Sequence, residues 1–405
     1  MRIAFALAAT LFASSALAAP HPRDGEIKDP DTRAWWHMTE ALSGDDMEGR
    51  DVASPAYDRA ARLVADRFAK AGLKPAGEHG TWFQEVPLHE VAVTQASFTL
   101  VRPDGAQTSL GFLHQISIRP TEDSPAALDA PLTFRGYCAP ADLTDIAGKI
   151  AVCFNTKRVG LTTAAQRIAA AQAAGAAGII QVDDPGFTIE PYRWPAAYAR
   201  TITFADAKPA TGIPAMTLSP DGFEAMIAGA GKSAAAILKA GGDKQPLPAF
   251  DIPSRLKLSL TLARRDYTSK NVLGALPGTD PTLAREHLVV SAHLDGYGFG
   301  EPVGGDKLYN GALDDAAYVA LLVRLAERQH GHGYKRSVVF AAFTGEEKGL
   351  LGANWYVKHP TVPKASLVAD LNLDQLRPLF PLKILTALAV DDTSLGATAR
   401  QVAAT

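Results

Sequence analysis

The chain has 405 residues, 47% hydrophobic and 20% charged, with a formal net charge of -3. That is globular composition, long enough for a large core and two domains. The small acidic excess excludes a nucleic-acid surface, which needs clustered Lys and Arg.

Residues 1–19 read as a cleavable export signal. Arg2 supplies the positive end, 3–12 the apolar run, and Ala16-Leu17-Ala18 the small-x-small cleavage site before Pro20. The run is too short to span a bilayer, and no later segment is long enough either. The expected product is therefore secreted or periplasmic, without stable membrane insertion. Nothing in the sequence reports its oligomeric state.

Helices are predicted over 33–42 and 57–71, with a polar turn at 43–50 between them and Gly72 ending the second. Strands follow at 83–88 and 96–101. The middle of the chain predicts strands at 132–137, 149–154 and 179–182, an Ala-rich helix over 164–174 and a short helix over 220–227. Cys138 and Cys153 flank strand-like runs there. A disulfide and two buried thiols both remain open, but two cysteines cannot build a thiolate zinc site. Gly241-Gly242-Asp243 and the prolines after it read as an exit linker.

Strands are next predicted at 257–263 and 269–276. Apolar strands at 287–292, 337–344 and 367–373 then alternate with helices over 316–328 and 347–357, and a last helix begins near Ser394. This rhythm predicts an α/β fold, a mostly parallel mixed sheet flanked by helices. The domain plan is a signal at 1–19, the first part of the main domain at 20–118, an inserted small α/β unit at 119–245, and the rest of the main domain at 246–405.

Ligands of such sheets bind outside the carboxyl ends of the strands. His293 and Asp295, Asp314 and Asp315, Glu346 and Glu347, and Asp374 all fall at strand ends or strand-to-helix turns. Each pair alone reads as ordinary capping or solvated acid. Together they would be costly to gather without a cation, so a divalent metal is expected. His and carboxylate donors suit zinc. Asp295 is placed to accept the second ring N–H of His293.

The ordered motifs His293-x-Asp295, Asn310-Gly311-Ala312-x-Asp314-Asp315, Gly345-Glu346-Glu347-x-Gly349-Leu350-x-Gly352 and Asn372-Leu373-Asp374 resemble the M28 family of zinc aminopeptidases. Leu42 to Arg50 and Ala71 to Pro75 resemble the family's lead-in. Gly148 to Val152 and Ala173 to Gly178 resemble the protease-associated (PA) domain inserted in many members. The resemblance implies a hydrolase acting on peptide N-termini through two Zn2+ per site that share a water. It implies His293, Asp314, Glu347 and Asp374 as metal ligands, Asp314 bridging, with Glu346 as general base and Asp295 supporting His293. Carboxypeptidase or glutaminyl-cyclase chemistry on the same fold, or an inactive PA-containing binding protein, are the alternatives.

Two departures stand out. Ala317 and Tyr318 occupy the place of the family's small Ser-Gly pair. No His follows His359, although the family's second zinc takes one well after the third strand. The resemblance therefore implies a sequence truncated at its C-terminus, with a fifth ligand beyond it. His330, His332 and His359 read as surface residues.

Overall fold

A computed structural model describes residues 23–187, 194–375 and 387–404. The export signal expected at 1–19 lies outside the described residues. Helices α1 (Pro30–Ser43) and α2 (Pro55–Lys70) each start on a first-turn Pro and a side-chain cap. Asp29 accepts from the Thr32 N–H, and Ser54 from that of Tyr57. Strands β1 (Lys74–Pro75), β2 (Phe83–Val101), β3 (Gln107–Leu110), β4 (Ile116–Arg119) and β5 (Ala127–Arg135) follow. The middle of the chain forms β6 (Ile150–Asn155), α3 (Ala164–Ala173), β7 (Gly178–Asp183), β8 (Arg200–Phe204), β9 (Ala215–Leu218), α4 (Pro220–Ile227) and α5 (Ala234–Gly242). Then come β10 (Ala249–Leu276), β11 (His287–His293), β12 (Gly298–Val303), β13 (Asp306–Tyr309), α6 (Ala317–Gln329), β14 (Ser337–Phe343), α7 (Leu351–Lys358), β15 (Leu367–Asn372) and α8 (Leu395–Ala403).

One mixed sheet runs through the molecule in the order β15-β11-β14-β10-β5-β6-β7-β9-β4. β11 lies parallel to both β14 and β15, and β5, β6, β7 and β9 are mutually parallel. β14 shows why sequence alternation is lost here. Val338, Phe340 and Ala342 face α1, α2 and α6, while Val339, Ala341 and Phe343 pack on the opposite side with Leu273, Val289 and Tyr356. With both faces covered, every position from Val338 to Phe343 is apolar.

The four strands predicted at 83–88, 96–101, 257–263 and 269–276 are two. β10 is 28 residues long, and it pairs antiparallel with β2 from Phe83 to Val101. Its first half packs Leu256, Leu258 and Leu260 into the core of the inserted unit. Its last residues, Val272 and Leu276, join the core of the main domain. Between them Arg264, Arg265 and Asp266 are exposed. That polar stretch interrupts the hydrophobic pattern, so it reads as a break. The backbone stays extended because its hydrogen bonds are met across the ribbon. Glu90 anchors the middle: it is 3% exposed and accepts from Arg265, Arg200 and Tyr267. The expected linker at 241–243 is also corrected. Gly241 and Gly242 end helix α5, where Gly241 lies against the Phe154 ring and a Cβ would clash.

Cys138 and Cys153 form a disulfide, closing a loop of 15 residues in the inserted unit. Such a loop stabilises by about 3 kcal/mol, largely through the unfolded chain. Replacing both cysteines by Ser should lower the unfolding free energy of this unit by about that amount, read from urea denaturation. Equal midpoints with and without the bridge would refute the expectation.

Candidate metal centre

The three parallel strands deliver their carboxyl ends to one place. His293 is the last residue of β11. Glu346 and Glu347 sit in a short turn after β14, opened by Gly345 in the left-handed region (φ 64). Asp374 follows β15. Asp314 and Asp315 lie in the loop between β13 and α6. Gly311 lets that loop approach closely: its φ is 63, and a Cβ would meet Asp314 O at 2.7 Å and Arg50 Nη2 at 2.8 Å.

All the residues predicted as ligands and base converge on the His293 imidazole, which is 3% exposed. Its Nε2 lies 3.1 Å from Asp314 Oδ1, 3.7 Å from Asp374 Oδ1 and 3.8 Å from Glu346 Oε2. Among the described residues, two triads bring their ligand atoms within 4.8 Å of one another: His293, Asp315 and Asp374, and His293, Glu346 and Glu347. Asp315 enters here, with no role expected of it beyond its place in the motif. Its Oδ2 accepts the His293 backbone N–H at 3.2 Å, and its buried Oδ1 has no hydrogen-bond partner. Glu347 Oε1 is likewise buried without a partner.

Asp295 does not hold His293 as expected. The imidazole Nδ1 lies 3.0 Å from the main-chain carbonyl of Asp295, while the carboxylate is 3.8 Å away. The carboxylate instead accepts the backbone N–H groups of Glu346 at 3.0 Å and Glu347 at 3.4 Å. It therefore fixes the turn that carries both glutamates. A neutral His293 donates from Nδ1 to the carbonyl and leaves the Nε2 lone pair facing the acids.

The electrostatics describe a site short of positive charge. Burial pushes the Asp315 carboxyl up to about 9 and that of Glu347 to about 8. Burial also raises Asp295 and Glu346. For His293 burial works against protonation, but Asp314 and Asp374 prevail and push it up to about 12. A cation among these groups would reverse each shift.

One further residue holds the site together. Arg50, fully buried, donates to the carbonyls of Leu294 (2.9 Å), Leu42 (2.6 Å), Asn310 (2.8 Å) and Gly311 (2.9 Å). Burial pulls its pKa down to about 10, which leaves it charged at neutral pH. In sequence it stood at the end of a polar turn and of the lead-in resemblance, with no role of its own. Tyr297 is another addition. Its hydroxyl lies 3.5 Å from that of Tyr198, which comes from the inserted unit, and Lys348 Nζ sits 5.2 Å over its ring. At the helix start, Ala317 is buried and its carbonyl accepts the Trp35 indole N–H at 2.8 Å. Tyr318 packs half-buried against the same core. His330, His332 and His359 are exposed.

Residues 271–405 match the model of peptidase family M28, and residues 119–226 match that of the PA domain. The last third of the chain thus matches peptidase family M28, and a PA-domain match lies ahead of it. It is 41% identical over 66 residues, 16% of its length, to a probable zinc metalloprotease of Pyrenophora tritici-repentis. That match spans only 15% of the relative's own length. Its fold is similar to that of an aminopeptidase from Aneurinibacillus sp. strain AM-1, with TM-score 0.56 and 18% identity, covering 87% of this chain and 72% of the other. It is also similar to BSAP, a zinc aminopeptidase from Bacillus subtilis, with TM-score 0.52 and 20% identity over 85% and 68% of the two chains. Across from this site, residues of the PA-domain match form the opposite wall. A cleft of about 750 Å³ runs from Asp314, Tyr297 and Tyr309 to Asp183, Trp194 and Tyr198.

Arg50→Lys tests the anchoring of this site. An ammonium offers three donors without a planar fork, so it cannot meet all four carbonyls. The variant should lose about 2 kcal/mol or more of stability, measured by urea midpoint. An unchanged midpoint would show that the guanidinium is dispensable.

Proposed function

We propose that this chain is an exported, zinc-dependent aminopeptidase that hydrolyses the N-terminal peptide bond of peptide substrates. The observation that carries the reading is the convergence of His293, Asp314, Glu346, Glu347 and Asp374 at the strand ends. The partnerless buried oxygens of Asp315 and Glu347 support it further. The imidazole and carboxylate donors fit zinc, whose sites take nitrogen and oxygen ligands. The charge balance supports two ions. Six carboxylates gather here, with Arg50 and Lys348 as the neighbouring cations, while Asp51 and Arg200 pair with each other. With all six carboxylates ionised and His293 neutral, as ligation requires, four negative charges remain, as many as two divalent ions would neutralise.

His293, Asp314, Glu347 and Asp374 would hold the metals, Asp314 lying 3.1 Å from the His293 Nε2 that both triads share. Zinc, when bound, acidifies water and polarises the scissile carbonyl. Glu346 is half-buried and its Oε2 lies 3.8 Å from His293 Nε2, so it reaches the space where a metal-held water would sit. It takes the proton from water and returns it to the leaving amine. Asp295 keeps it aimed by gripping its backbone N–H. The PA domain closes the cleft against bulk water on the far side. Export is supported by the Cys138–Cys153 disulfide, which persists in oxidising compartments.

Glu346→Gln should lower kcat by about 10²-fold or more while two zinc ions per chain remain bound, by elemental analysis after dialysis. Asp314→Ala should lose metal along with activity. Hydrolysis that survives Glu346→Gln unchanged would remove the base assignment. Product analysis on an unblocked peptide should show the free N-terminal amino acid; release from the other end would replace the reading with a carboxypeptidase.

A further inference from the structure

The cleft has a chemical bias on its PA wall. Asp183 and Asp184 sit side by side at the end of β7, and both line it. Asp184 is fully engaged: it accepts from Thr156 and Arg158 at 2.9 Å each and from the Gly186 N–H at 2.9 Å. Asp183 is not. Its Oδ1 accepts only the neutral Asn155 Nδ2, at 3.0 Å, and among the described residues no cation forms an ion pair with it, Lys157 acting on it only from a distance. Lys157 on the same rim is exposed and hydrated. A half-buried carboxylate with one neutral partner is a poor stabiliser of the fold. It becomes favourable when a cation reaches it.

The neighbouring walls suit the rest of such a side chain. Phe187, Tyr198, Tyr297 and Tyr309 present aromatic surface to the cleft, against which an aliphatic stem packs. The rim already holds one cation in this manner, since the Arg158 guanidinium lies 5.1 Å over the Phe187 ring. In the aminopeptidase reading, on which this inference rests, the free amino terminus of the substrate belongs at the metal centre beside Asp314. What meets Asp183 on the opposite wall is then a side chain. The cleft volume, about 750 Å³, is that of sites holding ligands well beyond a single residue.

We propose that Asp183, on the PA-domain wall of the cleft, selects peptides carrying a lysine or arginine side chain. The PA domain then sets specificity as well as access.

The test uses unblocked tetrapeptides in which one lysine, or its uncharged isostere norleucine, is placed at each position in turn. The zinc-loaded wild-type protein should favour lysine at one position by about tenfold or more in kcat/KM, mostly through KM. Asp183→Asn keeps the shape and the contact with Asn155, and should bring that ratio close to one. Asp183→Lys should favour glutamate there instead. Equal rates for lysine and norleucine at every position would overturn the proposal, as would a preference that survives Asp183→Asn. Binding of the same peptides to Glu346→Gln and to Glu346→Gln/Asp183→Asn, by calorimetry, separates the two levels. If wild-type protein cleaves no peptide, the hydrolytic reading fails, and the calorimetric ratio alone decides the role of Asp183.

Discussion

The candidate site depends on a buried guanidinium. Arg50 ties the lead-in segment to the end of β11 and to the loop bearing Asp314 by donating to carbonyls from each. Three stretches of chain that are remote in sequence are thus fixed to one planar group. Carbonyls of irregular loops are hard to satisfy inside a protein, and a fork of fixed donors meets them in a geometry that water could not hold. The same charge faces Asp295, Asp314 and Asp315, which raise its pKa against the pull of burial. Structural support and electrostatic compensation come from one side chain.

Around it the site is built in tension. Carboxylates are gathered where burial disfavours their charge, and the sheet topology forces them together because three parallel strands end on the same edge. Asp295 shows how the chain orders the result. Its carboxylate takes two backbone N–H groups and so aims the glutamates, while its carbonyl orients the imidazole. A single residue thereby sets the direction of both glutamates and of the imidazole.

Much of this was legible in the sequence because parallel strands buried on both faces leave long apolar runs, and polar residues at their ends are conspicuous. His293, Glu346, Glu347 and Asp374 were found that way. The position of Asp295 was legible but its contacts were not, because carbonyl and carboxylate cannot be told apart without coordinates. Arg50 was invisible, since a buried arginine and a solvated one look alike in a turn. The ribbon was misread at Arg264-Arg265-Asp266, where a polar run looks like a loop although its backbone is paired throughout. Tyr198 and Tyr297 meet only because the PA domain folds back on the sheet, and no local pattern announces that.

The shared ribbon also bears on how such a molecule can be assembled from parts. An accessory unit attached by flexible tethers can be lost or exchanged without harm. Here Phe98 and Leu100 of β2, and Leu256, Leu258 and Leu260 of β10, belong to strands of the host yet lie in the core of the guest. Cutting the guest away would leave those side chains facing water and two long strand edges unpaired, an invitation to aggregate. The two units are therefore inseparable as folding cargo, and their boundary is a seam within one sheet rather than a joint between modules.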